Sequence, residues 1–303
     1  MTPESPRSFL FVPADHEKKI DRAIKSNADA IVLDLEDSVT EDRRDIARKM
    51  ARETLDMLTE RTSLKVWVRI NALDTGYALK DLAAIIGGKP EGVVLPKCQS
   101  GTYVTRLDHY LTALEAREDI EPGSIEILPV TTETAASIFK LGTYALTSYR
   151  LHGLTWGAED LSTSLGAFTN KNDDGSYTHT FEIARSLCLM GAGAANVRAI
   201  EGAYTNFRNL QGLKLAVNKA KRDGFTGMIA IHPDQVDLIN AGFMPDKAEI
   251  ERARQIVDAF HKAGHEGAIQ YQGTMLEKPH LTQALMILRM LDASGSSGTD
   301  DIK

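Results

Sequence analysis

Two cysteines, Cys98 and Cys188, are the only thiols in 303 residues. They stand far apart in apolar company, which excludes a disulfide scaffold and a Cys–His metal cluster and leaves buried free thiols in a reducing compartment as the expectation. No apolar run approaches the roughly 20 residues needed to cross a bilayer. The apolar stretch "SFLFVP" at 8–13 is too short for a signal-peptide core and lacks a small-residue cleavage pattern. Basic residues are outnumbered, 35 Lys plus Arg against 42 Asp plus Glu, for a net charge of −7. That balance gives no support to a nucleic-acid or membrane-surface role. A glycine-rich phosphate turn is also missing, because the first strand runs into "FVPADHEKK", and an open doubly wound sheet would want one there. These absences make a soluble cytoplasmic chain the expectation.

What is present is alternation. Strand-like runs occur at 8–13, 30–36 ("AIVLDLE"), 65–70 ("KVWVRI"), 92–97 ("GVVLPK") and 126–133 ("EILPVTTE"). Three more follow at 153–160 ("GLTWGAED"), 194–203 and 227–233 ("GMIAIHP"). Continuous Ile, Val and Leu in such runs suits strands buried on both faces. Charged amphipathic segments separate them, among them "NLQGLKLAVNKAKRDG", which ends on Gly224 as helices commonly do. Eight β-then-α units in a chain of this length predict a (β/α)8 TIM barrel over residues 1–245. Two further helical stretches predict a C-terminal helical extension over 246–292 that acts as a lid, joined by an irregular segment. The small, polar end at 293–303 reads as a disordered tail.

In such a barrel chemistry gathers at the C-terminal ends of the strands. Those ends read Pro13, Glu36 with Asp37, Arg69 with Asn71, Lys97, Glu133, Glu159 with Asp160, Glu201 and His232. Most are acids, and several carboxylates aimed at one mouth repel each other unless a cation is shared. All are hard oxygen donors, so Mg²⁺ is the economical choice, with Mn²⁺ the alternative. Each residue also has a structural reading. Glu133 suits a helix first turn, Asp160 an N-cap, Glu36 and Asp37 a solvated loop, His232 a turn, and Arg69 and Lys97 an ion pair. Their joint occurrence at strand ends favours a site.

Five spaced motifs carry a resemblance as well: "RSFLFVPAD", "DAIVLDLEDSV", "VWVRIN", "WGAEDLSTSLGA" and "IAIHPDQVDLIN". They resemble the citrate lyase β-subunit-like family of the HpcH/HpaI aldolase superfamily, which includes malyl-CoA and citramalyl-CoA lyases. The resemblance covers about residues 7–290. It implies a Mg²⁺-dependent (β/α)8 carbon–carbon lyase acting on short 3-hydroxyacyl-CoA thioesters, assembled as a homotrimer or homohexamer. By motif it implies Glu133 and Asp160 as metal ligands, with Glu36 and Asp37 holding metal-bound waters. It makes Arg69 the substrate arginine and places Phe11, Ile231 and His232 along the coenzyme A channel. Arg22 falls where the family contacts coenzyme A, and Lys97 is grouped with these cofactor-binding residues. His16 stands where relatives often carry an arginine.

One position departs from the resemblance. Relatives place an aspartate that acts in proton transfer before the final helix, and here the matching residue is Glu277 of "YQGTMLEKPHL". Its carboxylate lies one C–C bond, about 1.5 Å, further from the backbone. The expectation is that Glu277, delivered by a neighbouring subunit, is the general base in a pocket adjusted to its length. Two other functions share the motifs: a malyl-CoA-type thioesterase using the same site, and a citrate lyase β-like subunit that needs an acyl-carrier partner.

Overall fold

The structure is a computed structural model that describes residues 5–58, 64–264 and 267–294. Eight parallel strands form its main sheet: β1 (Ser8–Pro13), β2 (Ala30–Asp34), β3 (Lys65–Arg69), β4 (Gly92–Leu95), β5 (Glu126–Pro129), β6 (Gly153–Thr155), β7 (Arg198–Glu201) and β8 (Gly227–Ala230). They pair in the order β5-β4-β3-β2-β1-β8-β7-β6. Single parallel bridges, Ile127 to Leu151 and Val130 to Thr155, bring β5 against β6 and close the ring. Eight helices follow in chain order: α1 (Glu17–Ile24), α2 (Arg44–Met57), α3 (Ala78–Ile85), α4 (Gly101–Arg117), α5 (Ala135–Ile138), α6 (Ala158–Leu165), α7 (His179–Ala194) and α8 (Leu210–Asp223). A ninth, α9 (Val236–Phe243), comes after β8. The expected TIM barrel is what the chain forms.

The strands are apolar because both their faces are covered. Every residue of β2 is buried. Phe9, Val32, Trp67, Val94, Leu128 and Ile200 pack in one cluster, a filled interior of the kind this barrel requires. Helix α8 ends on Gly224 at φ +116, the left-handed cap that its sequence signalled. Several strands stop two to five residues before the expected ends. Glu159 and Asp160 lie in the first turn of α6, where the helix dipole favours acids. Past β8, Pro233 opens a 3₁₀ turn capped by His232.

Pro6–Ala241 forms one compact unit, and the described residues from 242 to 294 form another. In the second, α10 (Lys247–Ala263) opens with a reciprocal capping box between Asp246 and Glu249. Strands β9 (Ala268–Tyr271) and β10 (Thr274–Glu277) follow, then α11 (Lys278–Ser294). The irregular segment expected here is a regular antiparallel hairpin. Gln272 and Gly273 turn it with φ of 49° and 78°, and two consecutive positive φ values define the tight hairpin turn. Ile256, Phe260, Ile269, Leu276 and Ala284 make this unit's own core. The expected disordered tail falls almost wholly outside the described residues. Among the described residues no helix is long and apolar enough to cross a membrane, and both cysteines are buried and free.

Candidate active site

Parallel pairing places strand ends side by side, and one pair decides the floor of the site. Asp34 ends β2 and lies in register with Arg69 at the end of β3. Arg69 Nε donates to Asp34 Oδ1 and Nη2 to Oδ2, both at 2.6 Å. Asp34 is 2% exposed and also accepts from Ser38 Oγ at 2.5 Å and from the Glu36 amide at 3.0 Å. Burial alone would raise its pKa, but Arg69 and these donors together hold it below the usual carboxylate value. The guanidinium lies over the Phe11 ring at 5.2 Å. Its remaining arm, Nη1, sits 3.1 Å from Glu36 Oε2, an oxygen to which no donor is aligned among the described residues.

Glu133 follows β5 and is 5% exposed. It accepts a short hydrogen bond from the Lys97 amide. Burial, then the neighbouring Asp160 and Glu36, push its carboxyl well above the ordinary range. Room for it comes from Gly157, because a Cβ there would stand 3.1 Å from Glu133 Cγ. Asp160 reaches the same place from the first turn of α6. Lys97 Nζ bonds Glu36, lies 3.2 Å from both Asp37 oxygens and 3.9 Å from Asp160 Oδ1. Five carboxylates (Asp34, Glu36, Asp37, Glu133 and Asp160) thus face two fixed cations, Arg69 and Lys97. Such a deficit of positive charge draws a cation.

A cavity of about 650 Å³ opens over this floor. Phe11, Arg22, Asp37, Arg69, Glu133, Asp160, Ile231 and His232 all line it. Phe207 stacks on His232 with centroids 4.8 Å apart. Glu36 and Lys97 are absent from the lining and act on it through Arg69 and Asp160. Two strand-end residues turn elsewhere because nearer partners hold them. Asn71 donates to Asp81 at 2.7 Å, and Glu201 binds Arg185 at 2.7 Å and the Trp156 indole at 2.5 Å. Glu277 ends β10 in the second unit, exposed. Its amide donates to His280 Nδ1 at 3.0 Å.

Residues 7–233 match the model of the HpcH/HpaI aldolase/citrate lyase family. The chain belongs to that family. A second model, for carbon–carbon bond lyases of the TIM-barrel fold, matches 176–295. The chain is 31% identical to citrate lyase subunit beta of Escherichia coli K12, over 95% of this chain and 94% of that one. It is 28% identical to the (3S)-malyl-CoA thioesterase of Cereibacter sphaeroides, over 96% of each. CitE from Mycobacterium tuberculosis, crystallised in complex with magnesium, acetoacetate and coenzyme A, superposes with a TM-score of 0.78 at 29% identity, covering 97% of this chain and 99% of that one.

Within this family member, the motifs assigned no role to Asp34, Trp156 and Tyr177, all of which line the cavity. Asp34 carried a signal, since an acid ending one strand beside an arginine ending the next is a register pair. Tyr177 carried none. It sits on a loop after α6 and reaches Trp156 edge-on at 4.9 Å.

The Asp34–Arg69 pair gives a direct test. Asp34→Asn takes from a largely buried guanidinium its two-pronged partner and leaves only Glu36 beside it, and loss of about 3 kcal/mol in urea unfolding is expected at neutral pH. Because folding depresses the Asp34 pKa, its contribution is fully present above about pH 4 and is lost as pH falls below that. The variant should therefore show a shallower acid limb. An unchanged acid limb would mean the pair is energetically silent.

Proposed function

We propose that this chain is a Mg²⁺-dependent lyase that cleaves the C2–C3 bond of a short 3-hydroxyacyl-CoA thioester, of malyl-CoA or citramalyl-CoA type. The observation that carries the reading is the meeting of Glu133, Asp160 and Arg69 in one cavity of a citrate lyase family barrel. Mg²⁺, or Mn²⁺ in its place, fits the donor set. Among the described residues no three or more His, Cys, Asp or Glu side chains are grouped so as to hold a metal ion, and Mg²⁺ takes one or two carboxylates and leaves the rest to water and substrate. Glu133 and Asp160 would hold it, with Glu36 and Asp37 ordering its waters. When bound it polarises the substrate hydroxyl and carboxylate.

The chain's own residues would do the rest. Glu277 of a neighbouring copy in a homo-oligomer takes the hydroxyl proton as a carboxylate base. The C2–C3 electron pair then moves to the acyl fragment as the 3-hydroxyl carbon becomes the carbonyl of a 2-oxoacid. The enolate oxygen of the acyl-CoA develops beside Arg69, whose charge is secure: although burial opposes it, Asp34 and Glu36 raise its pKa. Asp34 occupies the Nε and Nη2 edge of the guanidinium, so the Nη1 arm, 3.1 Å from Glu36 Oε2, is the one that would turn an N–H to that oxygen. Phe11, Ile231 and His232 offer an apolar wall to the pantetheine, and Arg22 a charge to its phosphates.

A thioesterase on the same floor is the second reading, favoured by the malyl-CoA thioesterase relatives. A third is a subunit that works only on an acyl-carrier partner, in keeping with the citrate lyase β relatives. The test is mass spectrometry of products from malyl-, citramalyl-, methylmalyl- and citryl-CoA with Mg²⁺. Acetyl-CoA or propionyl-CoA with a 2-oxoacid is the expected outcome. Free acid with CoA would establish hydrolysis instead, and no turnover of any free thioester would point to the carrier-dependent subunit. Glu277→Gln should lower kcat by about a hundredfold or more. Retention of most of kcat would remove Glu277 from the mechanism.

A further inference from the structure

The acidic rim already contains a cation, and the backbone is bent to hold it there. Lys97 adopts φ 50°, in the left-handed region that side chains disfavour. From that conformation its amide reaches Glu133 and its ammonium reaches Glu36, Asp37 and, at 3.9 Å, Asp160. One residue therefore bonds one of the carboxylates assigned above to Mg²⁺ through its amide and lies within ion-pair range of the other through its ammonium. Strain of this kind persists where the surroundings enforce it, and it clusters at functional sites.

We infer that Lys97 is a built-in counter-ion that holds the acidic rim together without metal and competes with a divalent cation for Asp160, so that it sets the cation affinity of the site. This rests on the metal position proposed above. The sign follows from Coulomb's law. A positive charge about 4 Å from a ligand oxygen repels an incoming dication and partly cancels the field that attracts it. Removing that charge, with the ligands kept in place, tightens binding by about tenfold at the screening typical of a partly exposed site. Were Lys97 only a tether that aligns the acids, its removal would loosen the ligands and weaken binding.

Lys97→Gly in the full chain separates the two roles. Glycine enters the left-handed region without penalty and keeps the amide that Glu133 accepts, while the ammonium is gone. Calorimetric titration of metal-free protein with MgCl₂ should give a Kd about tenfold lower than that of the unsubstituted chain. Lys97→Arg, which keeps the charge, should remain close to the unsubstituted value. An unchanged or weakened Kd in Lys97→Gly overturns the inference while leaving the metal site intact. If the unsubstituted chain binds no Mg²⁺ and Lys97→Gly does, the competition is shown directly, and if neither binds, both the metal position and the inference fail. Should the glycine variant not fold, the unsubstituted chain still decides. Saturating MgCl₂ should speed acylation of Lys97 by an N-hydroxysuccinimide ester, read by peptide mass spectrometry, and an unaltered rate overturns the proposal.

Discussion

Replacing Glu133 by glutamine is expected to abolish turnover and leave the barrel folded. The amide is isosteric and retains an oxygen for the Lys97 N–H, so the backbone hydrogen bond at the strand end survives. It removes the charge that burial and two neighbouring acids oppose, so the metal-free variant should melt no lower than the unsubstituted protein. What disappears is an anionic oxygen for the proposed cation. Outer partners of a metal site already contribute about 10- to 100-fold to affinity, and a direct ligand should exceed that range. Calorimetric titration with MgCl₂ against circular dichroism melts separates the two effects. A variant with ordinary metal affinity and turnover would remove Glu133 from the site. Asp160→Asn should behave alike in binding, with a smaller gain in stability because its side chain is 36% exposed.

Arg69→Lys is the second large effect, a fall in kcat of about a hundred- to a thousandfold. Charge is conserved, so a purely electrostatic role would survive the change. Geometry does not survive. The guanidinium grips Asp34 along one edge while its other arm lies 3.1 Å from Glu36, whereas an ammonium is a point donor on a flexible stem that cannot hold both directions at once. KM should move less than kcat, because the missing hydrogen bond is one that would strengthen as the proposed enolate forms. Near-normal kcat would reduce Arg69 to a structural partner of Asp34, and the stability change of Asp34→Asn would then account for the pair entirely.

Much of this was legible because a TIM barrel converts sequence position into place. Once 8–13, 30–36 and 65–70 read as successive buried strands, their last residues had to share one mouth, whatever lay between. The apolar runs made the strands plain for the same reason, since both faces of a parallel sheet are covered. Side-chain direction was not legible. Asn71 and Glu201 stand at strand ends but answer to Asp81 and Arg185, partners distant in sequence or hidden within helices. Tyr177 reaches the cavity from a loop whose course depends on tertiary packing. The hairpin of β9 and β10 was legible in principle, because Gln272–Gly273 between two short alternating runs is a turn signal, but its glycines read as irregularity. Buried β2 can run out into acids because each finds a cation: Asp34 meets Arg69, and Glu36 meets Lys97.

The barrel is also unevenly sewn. Elsewhere neighbouring strands share continuous ladders, but β5 and β6 meet through isolated bridges, with the Thr131 amide reaching Thr155 O at 2.9 Å and that of His152 reaching Ile127 O at 2.9 Å. Glu133 leaves the barrel just beyond β5 and Asp160 just beyond β6, so the two proposed ligands stand on opposite banks of this seam. Local openings begin where a fold has fewest cooperative bonds. Anything that binds both banks acts as a clasp on the seam, and breathing of the scaffold and filling of the site become two sides of one equilibrium.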